Sequence, residues 1–202
     1  MNPRMKFVII SFVMLTTATA TSYAQKLHLG VVAGANMYKI TGRSYDNKSQ
    51  TGFSAGAYGE YTISRLLAIQ PELLFSQTIG NLSPESFSQI YPGAIASKVY
   101  LNYISLPVMV AFKPTPEISV LLGPQYSYLV SQTTGLLPGN AYGNKDAYKK
   151  SDVSLVFGGQ LNLNKVKIGI RYTVGLQDIN NINPSDTWKY HGFHFYLGYR
   201  LK

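Results

Sequence analysis

The stretch "HGFHFYLGYRLK", residues 191–202, alternates strictly: Phe193, Phe195, Leu197, Tyr199 and Leu201 are separated by His194, Tyr196, Gly198 and Arg200. Successive side chains of an extended chain point to opposite sides, so the pattern predicts a strand whose two faces meet different surroundings. Two arrangements satisfy it. A soluble barrel or sandwich turns the apolar face inward onto a core, whereas a membrane barrel turns it outward onto lipid and keeps the polar face inside.

The same alternation recurs along the chain with turn residues between the runs, and no amphipathic helix interrupts it after Gln25. Eight strands are expected: Leu27–Tyr38, Gly52–Ser64, Leu66–Thr78, Val99–Phe112, Glu117–Val130, Asp152–Leu163, Val166–Leu176 and Trp188–Leu201. Pro71 and Pro107 cannot donate to a strand ladder, so each predicts a bulge or a locally broken pair.

The connections decide between the two arrangements. Strands two and three meet at Ser64 and Arg65, four and five at "KPTP" (Lys113–Pro116), and six and seven at Asn164 and Lys165. These are tight hairpins. The joints near residues 39–51, 79–98, 131–151 and 177–187 are longer than usual hairpin loops. Short turns at one end and long loops at the other predict an all-β, eight-stranded, antiparallel up-and-down transmembrane β-barrel, with short periplasmic turns and long extracellular loops. A barrel of this size has an interior just wide enough to be filled by side chains. The polar faces carry Glu60, Glu72, Lys167, Arg171 and Arg200, and a structural charge network of Glu60, Glu72, Arg171 and Arg200 is expected in the lumen, because buried charges need partners.

The first residues agree with export. Arg4 and Lys6 precede the apolar run "FVIISFVML" (Phe7–Leu15) and a small-residue tract ending in "SYA" (Ser22–Ala24). This predicts a signal peptide over residues 1–24, cleaved after Ala24, and a barrel domain over 25–202 in the cell outer membrane. The run is far short of the roughly 20 residues a spanning helix needs. With 46% hydrophobic and 13% charged residues the 202-residue chain has apolar surface enough for a core or a lipid-facing belt. It has no cysteine, which removes disulfides, thiolate metal sites and a lipoprotein anchor. The net charge of +9 is dispersed along the chain and not gathered in a stripe, and together with the export signal this argues against a nucleic-acid partner.

Four segments resemble a known family. "LAIQPELLFSQTIG" (Leu67–Gly80), "YISLPVMVAF" (Tyr103–Phe112), "VLLGPQYSYLVS" (Val120–Ser131) and "YTVGLQDIN" (Tyr172–Asn180) are similar to strand motifs of the PorT-like outer-membrane β-barrel family. The likeness covers essentially all of the mature chain and implies an outer-membrane barrel. Members with a known role are linked to secretion through the outer membrane. Ser105 stands where the family motif has an acid, and the chain ends in Leu201 and Lys202 where many such barrels end on an aromatic residue.

Chemistry has few carriers. His28, His191 and His194 are the histidines, with His194 expected to face the lumen and His191 the outer rim. No G-x-S-x-G nucleophile motif accompanies them, so no catalytic residue is expected. No metal-ligand spacing and no cofactor motif is present. The loop "TTGLLPGNAYGNKDAYKK" (Thr133–Lys150) sets Tyr142 and Tyr148 beside Lys145, Lys149 and Lys150, a candidate contact for outer-membrane lipid, lipopolysaccharide or a partner. A non-enzymatic structural or interaction role in the envelope, in or beside a secretion complex, is therefore expected. A small transport pore and a lipid-modifying barrel enzyme are the alternatives.

Overall fold

A computed structural model describes residues 27–43, 45, 48–81, 98–132, 148–181 and 186–202. The expected signal peptide lies outside these residues, as do most of the two longest loops, including Tyr142 and Lys145. Eight strands run β1 (Leu27–Thr41), β2 (Gln50–Thr62), β3 (Leu67–Asn81), β4 (Lys98–Phe112), β5 (Ile118–Gln132), β6 (Ser151–Leu163), β7 (Val166–Gly175) and β8 (Lys189–Arg200). Each pairs with its sequence neighbours, and β8 returns to β1 to close the barrel, from Gly30 opposite Arg200 to Thr41 opposite Lys189. All pairs are antiparallel.

The alternation of side chains places apolar residues outward. Leu73, Leu122 and Leu197 are each more than half exposed, whereas Ala68, Met109, Ala111 and Leu121 on the opposite parity are fully buried. A continuous outer wall of Leu, Ile, Val and Phe on every strand is the wall of a lipid-facing barrel. The lumen is packed in bands. Ala68, Met109, Ala111, Leu121 and Val156 form one apolar cluster, and Val32, Tyr58, Leu74 and Tyr196 form another. The Tyr58 and Tyr196 rings lie over Gly30 and Gly169, where a Cβ would come within 2.5 Å and 2.2 Å of them; alanine at either position would displace a lumenal ring.

The turns follow from local chemistry. Asn164 opens the two-residue β6–β7 turn in the left-handed region (φ 55°), which Asn adopts more readily than most residues. Ser64 Oγ accepts from the amides of Leu66 and Leu67 in the β2–β3 turn, and Thr115 Oγ1 accepts from that of Ile118 in the β4–β5 turn. At Pro71 the β2–β3 ladder skips from Tyr58–Glu72 to Tyr61–Ile69 without changing register, and the β3–β4 ladder skips in the same way opposite Pro107. The prolines therefore break pairs locally. The register shift falls elsewhere, between Asn102 and Tyr103 on β4 against β5. β1, β3 and β5 all run further toward the long loops than the apolar alternation alone suggests, ending at Thr41, Asn81 and Gln132. There they support a cap instead of facing lipid.

Candidate functional site

The lumen holds a linked set of charges. Arg171 on β7 donates through both Nη atoms to the two carboxylate oxygens of Glu72 on β3, each at 2.7 Å, in the bidentate geometry that suits a guanidinium. Its guanidinium also lies 3.9 Å from the centroid of the Tyr196 ring. Gln70 Nε2 donates to Glu72 Oε1 at 2.7 Å, and Gln70 Oε1 accepts from Lys167 Nζ at 3.1 Å. Lys167 Nζ in turn reaches Glu60 Oε2 at 2.5 Å, while Lys113, from the β4–β5 turn, holds the other oxygen of Glu60. The result is one continuous path: Lys113, Glu60, Lys167, Gln70, Glu72, Arg171. Glu60, Gln70, Glu72, Lys167 and Arg171 are all buried.

Three members of the expected charge quartet, Glu60, Glu72 and Arg171, sit on this path. Arg200 does not. It is half-buried on the last inward rung of β8, beyond the rung where Lys167 faces Gly198, and it forms no ion pair with a described acid. Lys167 lies one rung deeper and reaches Glu60 across the lumen. Lys113 and Gln70 complete the set, one from a turn and one neutral, and reading for paired charges on strands passes over both.

Higher in the lumen, Ser54 Oγ and His194 Nε2 share a 2.6 Å hydrogen bond, and both residues are buried. His194 faces inward as expected, whereas His191 faces outward with its ring 6.3 Å from that of Tyr172. A serine beside a histidine is the start of a nucleophilic constellation, which also needs an acid to orient the ring and room for a substrate. No described carboxylate contacts His194. The adjoining cavity, lined by Asn36, Ser54, Tyr103, Arg171 and His194 among others, has a volume of about 20 Å³. That is room for about one water.

The long-loop end is closed by an aromatic cap built from Tyr38, Ile40, Tyr45, Tyr103, Tyr148, Ile179, Trp188 and Tyr190. Trp188 meets Tyr45 edge-on at 5.2 Å and Tyr148 at 5.4 Å, and the Tyr45 and Tyr148 hydroxyls are hydrogen-bonded to each other. Polar contacts fix the indole. Its Nε1 donates to Asp186 Oδ2 and its backbone amide to Asp178 Oδ1, both at 2.8 Å, and Asp186 Oδ1 also accepts the Arg43 amide at 2.9 Å. Tyr148, expected as an outer-loop contact, is thus turned inward, because its ring completes the cap and its hydroxyl is satisfied there. Lys149 lies 3.7 Å from Asp178, and Lys150 is exposed. The cap residues Tyr45 and Ile179 escape sequence reasoning because they fall outside the expected strands, and Trp188, which opens the expected closing strand, carries no sign there of a role in a cap.

Comparison with known proteins places this architecture. The chain resembles the Ail attachment invasion locus protein of Yersinia pestis, solved in complex with the heparin analogue sucrose octasulfate, at 14% identity with a TM-score of 0.50, covering 87% of this chain and 99% of that one. It resembles Neisserial surface protein A at 14% identity with a TM-score of 0.54, covering 86% and 97% respectively. These likenesses concern the fold. Among curated proteins none matches the chain. The outer membrane protein beta-barrel domain matches over residues 23–181, and with a closed eight-stranded wall that turns its apolar side outward, the chain belongs to that family and is an outer-membrane β-barrel protein.

Proposed function

We propose that this barrel is a non-enzymatic structural or interaction element of the envelope, working through its long-loop end and its outer wall while its lumen stays shut. The observation that carries the reading is the filled interior. An ion path occupies the short-turn half, the Ser54–His194 level leaves room for about one water, and an aromatic cap closes the other end. A transport pore needs a continuous wet path, and a lipid-modifying enzyme needs a site that substrate can enter. Neither is favoured by this packing. The likeness of the four strand motifs to PorT-like barrels supports an accessory place in protein secretion, with the long loops outward and the three short turns in the periplasm.

Two measurements test the reading. The purified barrel in planar lipid bilayers is expected to give no stable unitary conductance; discrete, reproducible steps would overturn the closed-lumen role. In intact cells, Lys149→Cys should react with a membrane-impermeant maleimide and Asn164→Cys should not. The reverse labelling would invert the orientation.

A further inference from the structure

On the outer wall of β1 and β8, just beyond the apolar belt, the structure gathers cations that no described acid neutralises. Lys39 lies directly opposite His191, and Lys189 opposite Thr41, all facing outward. Lys39 and Lys189 form no ion pair with a described residue. Arg43 and Lys48, in the connection from β1 to β2, are exposed as well. Outward residues at similar height on other strands, such as Gln77, Tyr100, Tyr128 and Val153, carry no charge. Elsewhere at this end Lys149 and Lys150 are exposed beside β6, where Lys149 has Asp178 within 3.7 Å. The positive wall of β1 and β8 begins one outward rung past the Met37–Phe193 pair, where Phe193 packs against Tyr172 at 4.8 Å, an aromatic pair of the kind that marks a membrane interface.

Below the cations the same wall is hollowed. Ala33 pairs with Ala55 and Val31 with Ala57, so small side chains stand here where other strands carry bulky ones, and the exposed Phe53 ring opposite Ala35 bounds the hollow above. A groove of about 490 Å³ lies where β1, β2, β7 and β8 meet, lined by Val31, Ala33, Ala55, Val166, Leu197 and Tyr199. From Ala33 to Lys39 is about 20 Å along the strand at 3.3 Å per residue. A charged head at the rim and an apolar chain in the groove thus fit one amphiphile.

We propose that this face binds the lipid moiety of lipopolysaccharide, a phosphorylated glycolipid, with its phosphates on Lys39 and Lys189 and an acyl chain laid down the Ala33–Ala55 groove. Charge complementarity selects a phosphorylated head, since lysines at a membrane surface draw anionic headgroups. The depth of the groove below the rim selects an acylated one. The assignment to this glycolipid and not to a phospholipid rests on the proposed orientation, which puts the long-loop end in the outer leaflet.

The test uses the full barrel refolded in neutral detergent, with folding of each variant confirmed by heat-modifiable electrophoretic mobility, and titration with purified bisphosphorylated lipid A. A 1:1 complex that weakens with salt is expected. Lys39→Gln with Lys189→Gln should weaken it roughly thirtyfold, from about 1 kcal/mol for each lysine at an anionic surface. Ala33→Leu with Ala55→Leu should weaken it several-fold by filling the groove, while Lys165→Gln at the opposite end should leave it unchanged. Equal binding of dephosphorylated lipid A, or an unaltered affinity in the double-lysine variant, would overturn the proposal. So would equal binding of phosphatidylglycerol, which would make the face a general anion site, or a dimer that the Ala33→Leu and Ala55→Leu changes abolish, which would give the groove to a second copy. Binding in detergent has no inside or outside. Reversed maleimide labelling with lipid A binding intact would therefore remove the orientation and leave the site.

Discussion

Replacing Glu72 by Gln should destabilise the refolded barrel by roughly 3 to 5 kcal/mol, the usual penalty for removing one partner of a buried ion pair. The cause is less the lost attraction than what remains. Arg171 is almost fully buried, both its Nη atoms point at Glu72, and no other described carboxylate lies within reach. The amide keeps one oxygen to accept from Gln70 Nε2 but turns N–H groups toward the other Nη of Arg171, so donor faces donor. Arg171→Gln should be comparably harmful, leaving a buried carboxylate with one neutral donor. The double variant Glu72→Gln, Arg171→Gln should lose much less than the two single losses together, because it strands no charge. Denaturant unfolding of all four proteins in vesicles gives the coupling directly. Strictly additive losses would show that the pair does not interact.

The second large effect concerns the outer wall. Ile170→Arg, midway along β7 and facing outward, should cost about 2 to 4 kcal/mol, as a cation does near the bilayer midplane. Leu161→Arg faces the same way but lies two residues before the β6–β7 turn, so about 0 to 1 kcal/mol is expected from its nearness to the interface. Gln160→Arg points inward, where Gln160 accepts the Tyr196 hydroxyl at 2.8 Å, and its effect should be set by crowding whatever the lipid thickness. Refolding the three variants into vesicles of two bilayer thicknesses separates these causes. Indifference of Ile170→Arg to the presence of lipid would reverse the assignment of faces.

How far the architecture can be read in advance depends on the range of the interaction. Strand existence, face and turn position are local, so "VKIGIRYTVG" announces a strand with Lys167 and Arg171 on one side before any partner is known. Barrel closure and the inward place of Glu60, Glu72 and Arg171 follow from the same parity. Which cation meets which acid does not. Glu60 on β2 and Lys167 on β7 are not neighbours in the sheet; they meet across the lumen at a height set by strand tilt and stagger, quantities no single strand encodes. Parity and sign therefore admit Arg200 as readily as Lys167, and only the barrel's stagger brings Lys167 to Glu60. The cap was hidden for a related reason. Tyr45, Tyr148, Ile179 and Trp188 come from three separate connections and share no period.

The pairing of β1 with β8 sets a timetable for the living chain. The strand made first is sealed by the strand made last, so no partial product has a finished wall. Until β8 arrives, β1 presents an open row of amides and carbonyls from Leu27 to Thr41, the kind of edge that recruits other chains. A chain of this design reaches the membrane as an unfinished object that must be held apart from its own copies until β8 meets β1.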